Sequence, residues 1–151
     1  MEYQKCISNY MTAKLLQLNC VNFEINHCVF TEQNMYSADK KGDSKAGSCR
    51  VAFYQSFGIQ RIYTLECNYH IGTGINPVPP SGLEEKKVTD PNDVRYSKGA
   101  PLFDLAVMHD IGTAVCVSIL DLANKNPWTR LKNTEYKDLR GFKGEVAFDL
   151  L

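Results

Sequence analysis

An excess of charge of either sign is absent from the 151-residue sequence. Lysine and arginine together number 17, and so do aspartate and glutamate, so the formal net charge at pH 7 is +0. Proteins that bind nucleic acid or an anionic membrane usually carry a marked excess of basic residues. We therefore expect no nucleic acid and no membrane among the partners, although this balance still permits a local basic site.

The six cysteines lack the spacing of a metal or redox motif. They occupy positions 6, 20, 28, 49, 67 and 116, and no Cys-x-x-Cys pair is among them, so the zinc-ribbon and thioredoxin-like motifs are excluded. Cys67 and Cys116 lie in strongly apolar runs, where free thiols pack as small hydrophobic side chains. We interpret the cysteines as reduced, which favours a cytosolic protein.

Long uninterrupted apolar runs are also absent. The first 16 residues, MEYQKCISNYMTAKLL, contain no apolar core behind a basic start, so no secretory signal is visible. The longest apolar run, residues 102–122, contains Asp104, His109, Asp110 and Asp121. These are too many polar or charged groups for an unassisted transmembrane helix, and we expect no membrane span.

Apolar residues three and four positions apart predict two helices. One covers residues 5–18, with an apolar face made of Cys6, Ile7, Tyr10, Met11, Leu15 and Leu18. The second extends from residue 102 to residue 122, with Leu105, Met108, Ile111, Val115, Ile119 and Leu122 on one face. Pro101 suits its start, and the sequence Asn-Lys-Asn-Pro at 124–127 suits its end.

Alternation and composition predict three strands and two loops. Residues 23–30 alternate in polarity, and residues 49–55 and 59–69 are rich in β-branched and aromatic side chains. Whether the last two strands form a hairpin or join different neighbours stays open. Residues 37–48 are dense in Ser, Asp, Lys and Gly, and residues 72–101 hold all but one of the six prolines, so both predict surface loops. The pattern indicates a soluble α/β domain.

Glu66 is a carboxylate within an otherwise apolar predicted strand. Strand alternation places it on one face with Thr64 and Asn68. One interpretation is structural, an ion pair with Arg61 or Arg50 or an edge strand that faces water. The other is functional, a general base that stands opposite a proton donor or a metal-bound water.

Other candidate ligands are weaker. His27, Cys28 and Glu32 lie close together in sequence, but adjacent residues of a strand point to opposite faces, so His27 and Cys28 are not expected to share a metal ion. His70 and His109 are isolated histidines, which more often pack or face solvent than bind metal. No Gly-x-Ser-x-Gly elbow, phosphate-binding glycine loop or dinucleotide fingerprint is present.

Three short motifs carry a resemblance to a known family. They are Phe30, Glu32, Asn34, Met35 and Tyr36; then Ser44, Lys45, Gly47, Ser48 and Arg50; then Tyr-Thr-Leu-Glu-Cys-Asn-Tyr at residues 63–69. With the later apolar helix and the sequence Ala-Asn-Lys-Asn-Pro-Trp-Thr-Arg, the chain resembles the C-terminal half of the catalytic domain of cytosolic carboxypeptidases in the M14 zinc-peptidase family. It looks most like the tubulin deglutamylases, densely over residues 15–76 and 102–130.

The resemblance implies a fold and roles for three residues. The fold would be the C-terminal part of the zinc-carboxypeptidase α/β fold, a mixed central sheet flanked by helices. Glu66 would be the catalytic general base that activates a zinc-bound water. Arg50, with Lys45 as a second candidate, would bind the side chain of the terminal glutamate, because a planar cation can bind a carboxylate with two hydrogen bonds. The alternatives are a structural salt bridge for Arg50 and a solvated lysine at position 45.

The zinc ligands of that family are missing from this sequence. The family uses a His-x-x-Glu motif and a later histidine in an Asp-Leu-His-x-His strand, and neither occurs here. We therefore expect residues 1–130 to be a C-terminal portion of the catalytic domain, followed by a tail over residues 131–151. The implied substrates are polyglutamylated tubulin or other glutamate-tailed proteins, and the implied location is the cytoplasm, at the cytoskeleton or a cilium. The alternative is an inactive fragment or a noncatalytic interaction module.

Overall fold

Five α-helices make up the regular structure of this chain in a computed structural model. The structure describes residues 2–38, 41–72, 74–83 and 102–150. The helices are α1 (Glu2–Asn19), α2 (Glu32–Tyr36), α3 (Cys49–Phe57), α4 (Leu105–Leu122) and α5 (Leu139–Asp149). Short 3-10 turns lie at Ile25–His27, Lys45–Gly47 and Arg130–Asn133.

The main core lies where α1 packs against α5. Its buried members are Ile7, Met11, Leu15, Leu131, Phe142 and Val146. The three from α1 are four residues apart, so they stack on one face of the helix, and Phe142 and Val146 have the same spacing on α5. The periodicity in the sequence therefore determines which face of each helix is buried.

A second apolar cluster joins the other side of α1 to α4. Its buried members are Leu16, Cys20, Ile111 and Ala114, with Cys67 and Phe23 packed against them. Because α1 contacts both α4 and α5, it is the central element of these three helices, which we call the helical bundle. The two clusters lie on different faces of one helix.

A buried carboxylate ties the ends of α1 and α4 together. The Asp121 side chain is only 2% exposed. Its two oxygens accept hydrogen bonds from the side-chain amides of Asn19 and Asn126, each at 2.8 Å. Both oxygens are thus satisfied, which is the condition under which a buried carboxylate is tolerated.

Residues 59–69 lie beside α1 and are attached to it by side chains. Arg61 donates a hydrogen bond to the Ser8 hydroxyl at 2.7 Å, and the Tyr63 hydroxyl donates to Thr12 at 3.0 Å. Burial raises the pKa of Tyr63, partly offset by that hydrogen bond and by Arg61. The segment that contains Glu66 is therefore held in place by contacts on its N-terminal side.

Both helix predictions are confirmed. The first predicted helix is α1, which extends three residues beyond the predicted start and one beyond the predicted end. The second is α4, which begins after Asp104, whose carboxylate accepts a hydrogen bond from the Val107 backbone N–H at 2.9 Å. Asp104 rather than Pro101 is therefore the capping residue.

The predicted α/β fold with a central sheet is wrong. Residues 49–55, predicted as a strand, form most of α3. Ser48 precedes this helix, and Gly58 follows it with a φ of 65°, donating its N–H to the Tyr54 carbonyl at 2.9 Å. Gly adopts the left-handed conformation without a steric penalty, so it ends a helix readily. The helix-ending glycine is a signal that the β-branched and aromatic composition did not show.

The two other predicted strands are wrong as well. Residues 25–27 form a 3-10 turn rather than part of a strand over 23–30, and residues 59–68 have no regular secondary structure. Within the described ranges, pairing is limited to two isolated bridges, Ala38 with Ser44 and Ile71 with Leu102. An unpaired strand leaves its backbone N–H and C=O groups without partners, whereas a helix pairs its own.

The long apolar helix α4 is exposed on much of its surface. By length and composition alone it could cross a membrane, a test that core helices of soluble proteins also pass. Leu105 is 86% exposed and Ile119 is 57% exposed, while Ile111 is buried against α1. That no membrane is a partner stays a prediction.

The predicted domain boundary at residue 130 also stays a prediction. Leu131 and the α5 residues Phe142 and Val146 share one core with α1. Of the predicted loop over residues 72–101, the described part, residues 72 and 74–83, is without helix or strand, and residues 84–101 lie outside the described residues. Arg130 donates a hydrogen bond to the Pro79 carbonyl at 2.5 Å, which attaches this loop to the C-terminal region.

Candidate functional site

The short helix α2 presents Asn34 to the segment that follows it. Thr31 caps this helix, because its side chain accepts a hydrogen bond from the Asn34 backbone N–H at 3.3 Å. The cap is of the kind that helix N-termini prefer. Asn34 is partly buried, and both of its oxygen atoms face basic side chains.

Lys45 contacts the side chain of Asn34. The lysine lies in the 3-10 turn Lys45–Gly47, and its ammonium donates a hydrogen bond to Asn34 Oδ1 at 2.9 Å. It is partly buried rather than extended into solvent. A lysine held in this way has one preferred position, unlike a lysine in a mobile surface loop.

Arg50 contacts the main chain of the same residue. It lies in the first turn of α3, and its Nη2 donates a hydrogen bond to the Asn34 carbonyl oxygen at 3.3 Å. Arg50 and Lys45, the two predicted substrate-binding residues, are therefore brought together by Asn34. We call Asn34, Lys45, Ser48 and Arg50 the basic site.

Two buried polar atoms of the basic site have no partner. Among the described residues, neither the Ser48 hydroxyl nor the Arg50 Nε has a hydrogen-bond partner. Ser48 stands at the N-cap position of α3, yet its side chain makes no capping hydrogen bond. Buried polar groups are paired in the great majority of cases, so such atoms are candidates for contact with a ligand.

The ion pairs that the sequence suggested for Arg50 and Glu66 are not formed. Within the part of the chain that the structure describes, no carboxylate lies within salt-bridge distance of Lys45, Arg50 or Arg61. No basic side chain lies within that distance of Glu66 there either. Arg61 instead contacts Ser8. The structural interpretation of Arg50, a salt bridge to a nearby acid, therefore finds no support.

Glu66 lies in the irregular segment between α3 and the loop at residue 72. Its side chain is exposed, while its neighbour Cys67 packs against the apolar cluster of α1 and α4. No hydrogen bond or ion pair joins Glu66 to the basic site in the described ranges. The structure leaves the carboxylate accessible to water and does not bring it into contact with Arg50 or Lys45.

The histidines do not assemble a metal site. The Nδ1 atom of His27 lies 3.5 Å from Oε2 of Glu24. On the exposed side of α4, the Nδ1 atom of His109 lies 3.9 Å from Oδ1 of Asp110. Among the described residues, no group of three or more His, Cys, Asp and Glu side chains is arranged to hold a metal ion. The described donor set thus does not fit a zinc ion.

Asn34 and Ser48 are members of the basic site that sequence reasoning did not single out as functional. Both lie in motifs that carried the family resemblance, Asn34 in the first and Ser48 in the second. Their position within such a motif was the sequence signal that could have identified Asn34 and Ser48 as functional residues. The motif does not reveal that the two segments meet, which the antiparallel bridge between Ala38 and Ser44 brings about.

Comparison with known proteins finds relatives along nearly the whole chain. No protein-family model matches it. It is 38% identical over 146 residues, 96% of its length, to "Cytosolic carboxypeptidase-like protein 5" of Danio rerio. It is 33% identical over 138 residues, 91% of its length, to the proteins of the same name from Rattus norvegicus and Homo sapiens.

The relatives are much longer than this chain. The matched region amounts to 16% of the Danio rerio and Rattus norvegicus proteins and 15% of the Homo sapiens protein. The comparison therefore describes one segment of those proteins.

Proposed function

The chain belongs to the cytosolic carboxypeptidase family, and we propose that it serves a zinc carboxypeptidase that removes glutamate from polyglutamylated proteins. The glutamate would be C-terminal or at a branch point, and tubulin would be the chief substrate. The carboxypeptidase name of the relatives supports the hydrolase class. The substrate is our proposal, supported by the chemistry of the basic site.

One observation carries the proposal. Lys45 and Arg50 converge on the neutral residue Asn34, and no described carboxylate compensates their charge. A glutamate side chain supplies the missing negative charge, and a guanidinium group can bind its carboxylate with two parallel hydrogen bonds. The pair is therefore suited to select an acidic residue over a neutral one.

In this proposal Glu66 is the general base. Its exposed carboxylate can accept a proton from an attacking water molecule and return it to the amine of the departing residue. General acid–base catalysis of this kind contributes about a hundredfold to ten-thousandfold in rate. The Tyr63 and Arg61 contacts with α1 restrict the segment that carries it.

The zinc ion of the proposed enzyme is not held by the described residues, since no cluster of three ligands is present among them. The ligands would have to come from outside these residues. The same observation favours a second candidate function, a noncatalytic module that binds acidic chains through the basic site. In either case we propose a cytoplasmic location, at the cytoskeleton or a cilium.

A chimeric enzyme tests the catalytic proposal. This chain replaces the matching segment of the Danio rerio relative, and release of glutamate from a synthetic polyglutamylated peptide is measured. We expect the chimera to release glutamate, and we expect Glu66→Gln to slow release by at least about a hundredfold because the general base is lost. Zinc content is measured in both proteins and should be equal.

Glu145→Gln is the matched control, because Glu145 is an exposed glutamate on α5 and the change is chemically identical. It should leave the rate unchanged. A Glu66→Gln chimera as active as its parent would refute the role of Glu66. A chimera that holds zinc and binds the peptide without cleaving it would support the noncatalytic module instead.

A further inference from the structure

Both cations of the basic site are held by neutral oxygen atoms. Lys45 donates to an amide oxygen and Arg50 to a main-chain carbonyl oxygen, and both atoms belong to Asn34. Elsewhere in the described chain a basic side chain is paired differently. Lys14 lies 2.9 Å from the Asp149 carboxylate, which compensates its charge.

Two partly buried cations close together and without a counter-ion are unfavourable. Each cation loses part of its hydration, and the two repel each other. Asn34 offsets some of this loss by hydrogen bonding but contributes no charge. The unpaired Ser48 hydroxyl and Arg50 Nε are two further hydrogen-bond donors at the same place in the chain. The ligand that satisfies such a set is an anion with more than one oxygen.

We propose that Asn34 is the positioning residue of this anion site, that it presents Lys45 and Arg50 to a ligand carboxylate with their charges uncompensated, and that Ser48 donates a further hydrogen bond. This inference rests on the proposed function, because it assigns the glutamate carboxylate to the site. It also identifies residues that determine the preference for an acidic chain.

The amide at position 34 is essential to this arrangement. An aspartate there would keep the shape of the side chain and still accept the hydrogen bond from Lys45. Its negative charge would, however, form an ion pair with Lys45 and compete with the ligand. A carboxamide holds the lysine without neutralising it. Exchanging the amide nitrogen of Asn34 for an oxygen, as in Asn34→Asp, would therefore turn a residue that leaves Lys45 charged for a ligand into one that neutralises it.

Binding of a peptide to the 151-residue chain tests the proposal. The probe is a synthetic peptide that ends in a run of glutamates, and its glutamine counterpart is the reference, both titrated by calorimetry at physiological ionic strength. We expect the glutamate peptide to bind more tightly than the glutamine peptide. Asn34→Asp should weaken its binding about tenfold or more, because hydrogen bonds to charged groups are the strong ones.

Gln33→Asp is the matched control for charge. Gln33 is exposed and neighbours Asn34 on α2, and its carbonyl oxygen accepts a hydrogen bond from the Ser37 N–H. No described residue contacts its side chain by a hydrogen bond. The change adds the same charge without touching Lys45. It should weaken binding far less than Asn34→Asp, and equal weakening by both would reduce the effect to long-range electrostatics and overturn the proposal.

A double-mutant cycle shows whether Asn34 acts through Lys45. Asn34→Ala removes the amide that holds Lys45, and Lys45→Met removes the lysine charge itself. Adding Asn34→Ala to Lys45→Met should weaken binding little further, because the amide then has no lysine to position. Additive effects would overturn the positioning role. Urea unfolding of each variant identifies any that fail to fold, and Lys45→Met, which leaves α2 unaltered, still tests the site in that case.

The proposal and the proposed function fail in different ways. If the chain prefers the glutamate peptide and the chimeric enzyme does not cleave it, the anion site stands and the catalytic function falls. If the wild-type chain does not distinguish the two peptides, the anion site is refuted, whatever the chimera does. Ser48→Ala should weaken binding by about threefold to tenfold, the contribution of one hydrogen bond.

Discussion

The helical bundle and the basic site differ in how completely their buried charged groups are hydrogen-bonded, although α1 of the bundle also contains unpaired amide oxygens, those of Asn9 and Asn19. In the bundle, the carboxylate of Asp121 accepts hydrogen bonds from Asn19 and Asn126 on its two oxygens. In the basic site, the hydroxyl of Ser48 and the Nε of Arg50 are buried without a partner among the described residues. The two regions belong to one chain, so the difference is not one of overall composition.

The contrast separates stability from function. A satisfied charged group contributes to folding, whereas an unsatisfied one costs free energy and is a candidate for contact with a ligand. Apolar contacts follow the same division, since α1 and α5 supply five of the six buried residues of a shared core and α3 supplies only Val51. We therefore expect substitutions in the bundle to change stability and substitutions in the basic site to change binding.

The largest expected effect is on the core of the bundle. Leu15 is 0% exposed, so Leu15→Ala should lower the free energy of unfolding by about 2 to 5 kcal/mol through lost burial and a cavity. Leu105, on α4, is 86% exposed, and Leu105→Ala should change the free energy of unfolding by no more than about 0.5 kcal/mol. Urea unfolding measures both. Equal effects would remove the basis for calling the bundle the core.

The next effect compares the buried polar groups directly. Asp121→Ala removes the acceptor of the Asn126 amide and one of the acceptors of the Asn19 amide, which also donates to the Leu15 carbonyl and the Ser118 hydroxyl. It should cost about 1 to 3 kcal/mol. Ser48→Ala removes a hydroxyl that has no partner in the described chain, so its unfolding free energy should change by less than about 0.5 kcal/mol. A large loss of stability in Ser48→Ala would contradict the contrast between the two regions.

The smallest effect concerns the ion pair between α1 and α5. Burial lowers the pKa of Lys14, but the hydrogen bond and the charge of Asp149 more than offset this, so its pKa is raised. A cation with a raised pKa stabilises the fold below its ordinary pKa of about 10.4, and this contribution is lost as the pH rises through the folded-state value. At neutral pH, Lys14→Met should cost less than about 1 kcal/mol.

The pH dependence provides the check on that ion pair. Burial also raises the pKa values of Cys20 and Tyr63, so the wild-type chain should lose stability in alkaline solution from several groups. The difference between wild type and Lys14→Met isolates the ion pair and should shrink toward zero as the pH rises through the raised folded-state pKa of Lys14. Lys143→Met, at an exposed position of α5, should show no such convergence.

Helix positions were predictable from periodicity, and the sheet was not. The four-residue spacing of Ile7, Met11 and Leu15 identified both α1 and its buried face. Composition over residues 49–55 indicated a strand, but Gly58, which ends α3 in the left-handed conformation, was the better signal, and it is typical of a helix end. Strand formation depends on partners elsewhere in the chain, which a local window does not contain.

The candidate site was predictable in part. Arg50 and Lys45 were identified from the motif that they share, and the structure places both against one residue. The role of Asn34 was not predictable, because its main-chain oxygen binds Arg50 and any residue has such an oxygen. The role of Glu66 stays a prediction that rests on the resemblance.

The sequence by itself determined the family of this protein, its two long helices and the faces that those helices bury. These properties depend on residue identity and short-range spacing, which are written along the chain. Only the tertiary structure decided that residues 49–57 are helical, that α1 lies between α4 and α5, and that Lys45 and Arg50 meet at Asn34. Those outcomes depend on which distant groups satisfy each other, and that competition is resolved only when the whole chain packs.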